Sequence, residues 1–251
     1  MRYKYLILTP LIFAALTLVG AGCGPKASVS TNETGGPSTT ASDECGNPYY
    51  PFKSGMAITY HESSTNKAVE SSDYTIRTVK VVGTTATIRA ELGDGATADM
   101  TADCASGSVA LKGSSSLGAA AEGTTFKTTV ISSEGTSMPA DVKAGSTWNH
   151  SETIQMDLEG GAAAGLGSIK MTTTEKSRAI SEESVTVPAG TFKAIKVEVK
   201  RTTTSAAKIG NIPATTQTTT EWWVKGIGMV KSVTVGQEGT TTTEAKKITG
   251  N

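Results

Sequence analysis

Apolar and polar residues alternate through much of the chain from residue 45 onward, and this pattern constrains the fold more than any other feature. Ile88 and Ala90 alternate with polar residues in TATIRAEL, and Ile195 and Val197 alternate with charged residues in AIKVEVKR. Neighbouring residues of a β-strand point to opposite faces, so a period of two indicates strands with one buried face. No segment shows the 3.6-residue apolar period of an amphipathic helix. The sequence therefore predicts a mainly β protein with little helix.

Gly, Ser, Asn and Asp interrupt the alternating segments and mark the turns between strands. Asp94-Gly95, which stands between two such segments, is a strong tight-hairpin signal. Short turns between successive strands favour an antiparallel meander that closes partly or wholly on itself. We predict about eleven or twelve strands, near residues 56–63, 72–82, 85–92, 96–104, 108–113, 124–132, 147–158, 168–179, 183–200, 216–225, 229–235 and 240–248.

The first 23 residues have the order of a bacterial lipoprotein signal. A short basic start with Arg2 and Lys4 precedes an apolar run, and small residues then lead to Cys23. This order predicts cleavage after residue 22 and lipidation of Cys23, which would anchor the protein to a membrane. The alternative is an ordinary secretory signal with a free Cys23, because Gly20 stands where the lipoprotein signal prefers Leu.

Three regions follow from this signal. Residues 1–22 are the predicted signal peptide, residues 23–44 are the lipidated cysteine and a flexible Gly/Ser/Thr/Pro tether, and residues 45–251 are a single antiparallel β domain. Loss of Arg2 and Lys4 from the 23 basic residues leaves 21 against 23 acidic ones. No cluster of Lys and Arg supports a nucleic-acid partner. The predicted location is extracytoplasmic, on the cell membrane or the outer membrane.

Cys45 and Cys104 are the cysteines that remain in the predicted domain. Exported proteins meet an oxidising compartment, so we predict one disulfide between these two residues. The bridge would close a loop of roughly 60 residues, which corresponds to about 4 kcal/mol of stability. The alternative is a pair of unpaired buried thiols. Neither cysteine has a Cys or His at ligand spacing, so no metal site is predicted.

The segment EWWVKGIGMVKS contains two of the three tryptophans of the chain ahead of a Gly-x-Gly turn. Adjacent strand residues face opposite sides, so Trp222 and Trp223 cannot share a face. We place Trp222 with Val224 on one side and Trp223 with Glu221 and Lys225 on the other. One interpretation makes Trp223 an exposed stacking surface for a sugar or peptidoglycan fragment. The interpretation that we favour makes at least one indole a core anchor.

The segment TWNHSETIQMDL interrupts an apolar face with two ionisable residues. Counting every second residue places on this face Trp148, His150, Glu152, Ile154, Met156 and Leu158. A buried ionisable pair costs several kcal/mol unless it is partnered or lines a cavity, so His150 and Glu152 indicate a pocket. The alternative is a strand end at which the apolar face has not yet reached the core.

The chain contains neither the Gly-x-Ser-x-Gly elbow of hydrolases nor the His-Glu-x-x-His helix of zinc proteases. We therefore predict a protein without enzymatic activity and without a cofactor. Hydrolysis stays a third hypothesis, behind the two that follow from the resemblance described next.

Four phrases together resemble a group of bacterial envelope lipoproteins sometimes called TapB-like: NPYYPFKSGMAITY, VKAGSTW, VTVPAGTFKAIKVEV and EWWVKGIGMVKS. In the third phrase Pro188 ends one strand, Gly190 permits the turn and Phe192 enters the core. The group is similar in shape to the LolA/LolB lipoprotein-carrier fold. The resemblance implies a curved antiparallel sheet that forms an incomplete barrel, and it supplies no catalytic residues.

These observations predict a lipid-anchored binding protein whose concave sheet face holds a hydrophobic or amphipathic ligand, such as a lipid, an acyl chain or a lipoprotein segment. The alternative is a structural or interaction module of the cell envelope that has no pocket and binds another envelope protein. The candidate lining residues are Ile58, Tyr60, Trp148, His150 and Trp222.

Overall fold

Fourteen β-strands and no α-helix make up the described part of the chain in the computed structural model. The structure describes residues 45–93, 95, 97–114, 126–158, 167–207, 210–236 and 239–250. The predicted signal peptide, Cys23 and the tether lie outside the described residues. The strands are β1 (Cys45–Asn47), β2 (Tyr50–Phe52), β3 (Ala57–Ser64), β4 (Ser72–Val82), β5 (Thr85–Leu92), β6 (Thr97–Ala105), β7 (Ser108–Lys112), β8 (Phe126–Gly135), β9 (Thr147–Leu158), β10 (Ser168–Val187), β11 (Gly190–Ala207), β12 (Gly210–Val224), β13 (Gly228–Gly236) and β14 (Gly239–Thr249).

Twelve of these strands form one antiparallel sheet in the order β7-β6-β5-β4-β3-β14-β13-β12-β11-β10-β9-β8. Each pair consists of consecutive strands except one, in which β3 pairs with β14. The sheet curls until its edge strands approach each other, and an isolated bridge between Val109 and Met138 joins the two margins. The result is a barrel with one unsealed seam between β7 and β8. This confirms the predicted mainly β fold with an incomplete antiparallel barrel.

The predicted boundaries of β4, β5 and β9 agree residue for residue with the observed ones. The prediction was wrong for the two longest strands, which were placed at 168–179 and 183–200. In the structure β10 continues to Val187, and β11 begins only at Gly190. A bulge shifts the register between Ala179 and Ser181, but the buried residues of β10 are odd-numbered on both sides of it. The polar run at residues 181–184 interrupts the apolar signal in the sequence without ending the strand.

Two predicted turns are present. Val187 pairs with Gly190, so Pro188 and Ala189 form the turn between β10 and β11, and Gly190 has a φ of +141°. Phe192 is half-buried and packs against the core. Glu91 pairs with Thr97, which confirms the hairpin expected at residues 94–95, although residue 94 lies outside the described residues.

The apolar core lies inside the barrel. One buried cluster contains Ile88 and Met100 from β5 and β6 together with Val197 and Val199 from β11. These strands are far apart in the sheet order, so their side chains meet across the interior. Val197 and Val199 therefore define the inner face of β11. Residues of β10 and β12 that pair with Val197 or Val199 lie on the same face of the sheet, so the register also identifies the inner faces of these two strands.

The β1–β2 hairpin lies across one end of the barrel, where the Gly226 N–H donates to the carbonyl oxygen of Pro48 at 2.8 Å. Tyr49, in the loop of the hairpin, is buried in the core. Asn47 is only 2% exposed and connects the hairpin to both margins of the seam. Its Nδ2 donates to three carbonyl oxygens, those of Gly107 (2.7 Å), Met138 (3.3 Å) and Pro139 (2.9 Å).

Candidate functional site

Four polar side chains form one row across the inner face of β9–β12. The register pairs His150 with Glu175, Glu175 with Arg201, and Arg201 with Gln217. Arg201 lies two residues beyond Val199 on β11, so it occupies the next inward position. The row therefore places charged groups inside the barrel beside the apolar core.

Arg201 and Glu175 form an ion pair within this row. Arg201 Nε lies 2.7 Å and Nη2 lies 2.6 Å from Glu175 Oε1. Burial lowers the pKa of the Arg201 guanidinium, but the charges of Glu175 and Glu221 outweigh this effect and raise it, so the group stays charged. The Arg201 and Glu175 side chains retain 29% and 20% of their surface. These two inward-facing side chains are therefore not sealed from solvent.

Glu221 completes what we call the interior charge cluster, Glu175, Arg201 and Glu221. The Trp223 Nε1–H donates to Glu221 Oε2 at 2.8 Å. Burial raises the pKa of Glu221 to about 7, against the opposing effects of the Trp223 hydrogen bond and the Arg201 charge. The carboxyl group therefore exchanges a proton near neutral pH. Strongly perturbed carboxyl groups inside a protein are candidates for functional sites.

Tyr50 brings the β1–β2 hairpin to this cluster. Its ring centroid lies 4.7 Å from that of Trp223, with the rings tilted by 45°. Burial raises the pKa of the Tyr50 hydroxyl, and the negative charges of Glu221 and Glu175 raise it further. The hairpin thus supplies an aromatic ring and a hydroxyl group at the end of the barrel interior.

A second interior carboxyl group, that of Glu62, lies beside a pair of tyrosines. The rings of Tyr60 and Tyr74 stack with their centroids 5.2 Å apart. Thr243 Oγ1 donates to Glu62 Oε2 at 3.3 Å, and burial raises the pKa of Glu62. Burial also raises the pKa of Tyr60, with smaller contributions that include the charge of Glu221. The tyrosine pair therefore lies within electrostatic range of the interior charge cluster.

Ile58 and Tyr60, two of the predicted lining residues, lie together in a buried cluster. Trp222 packs against this cluster, but its indole also lies near two lysine ammonium groups, 5.4 and 5.9 Å from the ring centroid. Trp223 belongs to the other cluster and is 7% exposed. The prediction that one indole is a core anchor is confirmed, and the exposed stacking surface proposed for Trp223 is wrong. Trp223, rather than Trp222, borders the interior charge cluster.

Trp148, His150 and Glu152 lie beside the seam. The Trp148 indole donates to a backbone carbonyl oxygen of the segment after β8 at 2.9 Å. His150 Nε2 lies 3.1 Å from Ser133 Oγ, and the Gly113 backbone N–H at the end of β7 donates to the Glu152 carboxylate. His150 and Glu152 are 4% and 2% exposed, so the alternative of an exposed strand end is wrong.

The interior charge cluster was not predicted from the sequence. A signal existed for Arg201, because it extends the inward series of Val197 and Val199 by one further step. Glu221 was placed on the correct face with Trp223 but was not connected to Arg201. Tyr50 lies in a short hairpin that was not predicted.

The two cysteines of the domain come from neighbouring regions. Cys45 begins β1, and Cys104 is a buried residue of β6. The hydrogen bond from Asn47 to Gly107 places β1 beside the turn that follows β6. This arrangement is compatible with the predicted disulfide, which stays a prediction.

The chain belongs to the DUF3108-like family, whose model matches residues 54–245. Its fold is similar to that of a presumed exported protein with a YmcC-like fold from Bacteroides fragilis NCTC 9343. That likeness has a TM-score of 0.57 and 13% identity, and it covers 81% of this chain and 100% of the other. A presumed lipoprotein from Parabacteroides distasonis ATCC 8503 is similar at a TM-score of 0.53 and 13% identity, over 80% and 98% of the two chains. No curated protein matches the sequence.

At 13% identity these two likenesses show the fold alone. The finer resemblance to TapB-like lipoproteins and to the LolA/LolB carriers stays a prediction. In the described part of the chain, no helix has the length and apolar character needed to cross a membrane. Among those same residues, no three His, Cys, Asp or Glu side chains are grouped so that they would hold a metal ion.

Proposed function

We propose that this protein is a non-catalytic, exported binding protein that holds a small amphipathic ligand inside its barrel. The observation that carries this proposal is the accessible surface that Arg201 and Glu175 retain on the inner face. Burying charged groups is unfavourable unless they are paired or hydrated, so this region is suited to the polar end of a ligand. The residues around it include two tyrosines and an indole, which offer apolar faces as well.

The apolar part of the ligand would lie along the same strands, away from the β1–β2 hairpin. A third buried cluster contains Ile154, Met156 and Ile169, with Met171 packed against it. Ile169 precedes Glu175 by six residues on β10, a distance of about 20 Å along an extended strand. Methionine side chains adapt to ligands of different shape, which suits a site for an acyl or alkyl chain.

The proposed location is extracytoplasmic, with a lipid anchor on Cys23. The lipoprotein-type signal in the sequence supports this location. The descriptions of the two similar structures, one as a presumed exported protein and one as a presumed lipoprotein, support it as well.

A second candidate function is a structural or interaction module of the cell envelope without a ligand. The seam contacts of Asn47 and Glu152 favour it, because these buried side chains hold the margins of the barrel together without any ligand. In this alternative the interior charge cluster would serve only to fix the register of β10–β12.

Native mass spectrometry of the full-length protein, gently extracted from the cells that produce it, distinguishes the two candidates. We expect a ligand adduct on the wild-type protein and a weaker adduct on Arg201→Gln. The matched control is Arg89→Gln, which breaks a comparable ion pair with Asp99 on the outer face and should leave the adduct unchanged. A bare protein mass for the wild type would favour the structural module.

A further inference from the structure

Strand β8 ends the sheet with one edge that no other described strand pairs. Within the described part of the chain β8 pairs with β9 alone, because the bridge between the two margins, Val109 to Met138, lies beyond its end. The end of β7 turns toward the interior instead, where the Gly113 N–H reaches the buried carboxylate of Glu152. The backbone groups along the edge of β8 are therefore available to a further strand.

Two apolar side chains are exposed in the middle of this edge strand. Val130 is 38% and Ile131 is 50% exposed. Val130 pairs with Ile154 and Ser132 pairs with Thr153, so Ile131 is the extra residue of a β-bulge. A bulge on an edge discourages pairing with a regular strand. The strand that fits this edge is therefore one that carries a matching bulge.

The rest of β8 is symmetric about Val130 once the bulged residue is left out. The matching residues on the two sides are Thr129 and Ser132, Thr128 and Ser133, and Lys127 and Glu134. Lys127 pairs with Asp157 of β9 and Glu134 pairs with Ser151, an even number of positions away, so Lys127 and Glu134 share a face of the sheet. Both side chains are exposed, and neither forms an ion pair within the described part of the chain.

We propose that two copies of this chain pair through β8 as antiparallel neighbours, with a twofold axis at Val130. Lys127 of each copy then lies opposite Glu134 of the other, and the exposed Val130 and Ile131 of both copies meet at the axis. The two bulges coincide, so they do not interrupt the pairing as they would with a regular strand. An interface that uses the same patch on both copies closes as a dimer and leaves this edge covered.

Charge reversal tests the pairing in the full-length protein, gently extracted in detergent and measured by native mass spectrometry over a concentration series. We expect a dimer of the wild type. Lys127→Glu and Glu134→Lys each place like charges opposite each other twice in the dimer, so each should raise the dimer dissociation constant at least about tenfold. The double variant Lys127→Glu/Glu134→Lys exchanges the two charges and should restore the wild-type value. Lys200→Glu, at an exposed position of β11 away from the edge, is the matched control and should leave the dimer unchanged.

A single added cysteine reports the register of the two strands. Val130 faces its own counterpart across the axis, so Val130→Cys should form a disulfide-linked dimer on mild oxidation. The matched control is Thr128→Cys, whose counterpart would lie four strand positions away, about 13 Å along the strand. That separation is too large for a disulfide, so this variant should stay unlinked.

A monomer at every concentration would overturn the inference. A dimer that neither single reversal weakens would overturn it as well, because the two copies would then meet through another surface. Cross-linking of Thr128→Cys in preference to Val130→Cys would exclude the proposed register. A mass of one copy bound to a different polypeptide, without a homodimer, would assign the edge to another partner and overturn the inference too. None of these outcomes bears on the ligand proposed for the barrel interior.

Discussion

The indole N–H of Trp223 donates to the carboxylate of Glu221, two residues earlier on the same strand, at 2.8 Å. Residues separated by two positions share a face of a strand, and here that face is the inside of the barrel. Trp223 also contacts Tyr50, so one ring connects the interior charge cluster to the β1–β2 hairpin. The protonation of Glu221 is therefore coupled to the packing of the barrel end.

The position of Glu221 predicts a dependence of stability on pH. Its pKa is about 7 in the folded protein against an ordinary value of 4.5, so the folded state binds the proton more tightly than the unfolded state. The stabilising contribution is complete below pH 4.5 and is lost as the pH rises through 7. Glu221→Gln cannot ionise, so we expect it to match the wild type near pH 5 and to exceed it at pH 8 by at most about 3 kcal/mol.

Urea unfolding of both proteins at the two pH values measures this difference. The control is Glu244→Gln, on the outer face of β14, which should show no comparable change between the two pH values. A stability difference between Glu221→Gln and the wild type that stays constant with pH would contradict the assigned burial of Glu221.

The position of Glu152 at the seam predicts that its side chain stabilises the folded protein. Because the Gly113 N–H donates to this buried carboxylate, Glu152→Ala should remove an acceptor and destabilise the protein by about 2–3 kcal/mol. Glu152→Gln retains an acceptor oxygen and should cost less. Glu134→Ala, an exposed glutamate on the adjacent β8, is the matched control and should change stability by less than about 0.5 kcal/mol. Equal losses for Glu152→Ala and Glu134→Ala in urea unfolding would contradict the contact.

The adjacent tryptophans predict unequal effects of the same substitution. Trp223→Ala empties a position in the core and should cost about 3–5 kcal/mol. Trp222 is only partly buried, and its indole bonds to Glu183 at 2.8 Å, so Trp222→Ala should cost roughly 1–2 kcal/mol. Thermal unfolding of the two variants measures the difference, and the reverse order would show that the faces of β12 are assigned incorrectly.

The predicted disulfide has a direct chemical test. Digestion of the unreduced protein should yield one cross-linked peptide pair that contains Cys45 and Cys104. Cys104→Ser should lower stability by about 4 kcal/mol, and Cys45→Ser should give the same loss with no addition in the double variant. Alkylation of both thiols in unfolded, unreduced protein would establish the alternative of two free cysteines.

The alternation of residues predicted the strands and many buried positions because it depends only on geometry along one strand. It placed Ile154 and Met156 on the buried face of β9, and both are buried. It also separated Trp222 from Trp223 correctly. The predicted break in β10 was wrong because residues 181–184 are all polar and resemble a turn, although the strand continues through them to Val187.

The interior charge cluster depends on relationships between strands, which one strand's pattern does not contain. Glu175 meets Arg201 because the β10–β11 register places them opposite each other, and this register itself includes the bulge after Ala179. Glu221 reaches the same region from a third strand, β12. Tyr50 comes from a three-residue strand, which is too short to show any period.

Because β3 pairs with β14, the order of the strands around the barrel differs from their order along the chain. In space the twelve strands follow one another as an up-and-down meander, and the interruption of that meander falls between β7 and β8. Gly250 lies against the backbone of Gly55. A circularly permuted gene that joins these positions, without the β1–β2 hairpin, and opens between β7 and β8 would encode the same order of twelve strands with only sequential hairpins. In the natural order β3 pairs with its second neighbour only when β14 is available, so the barrel closes only after nearly the whole domain has been made.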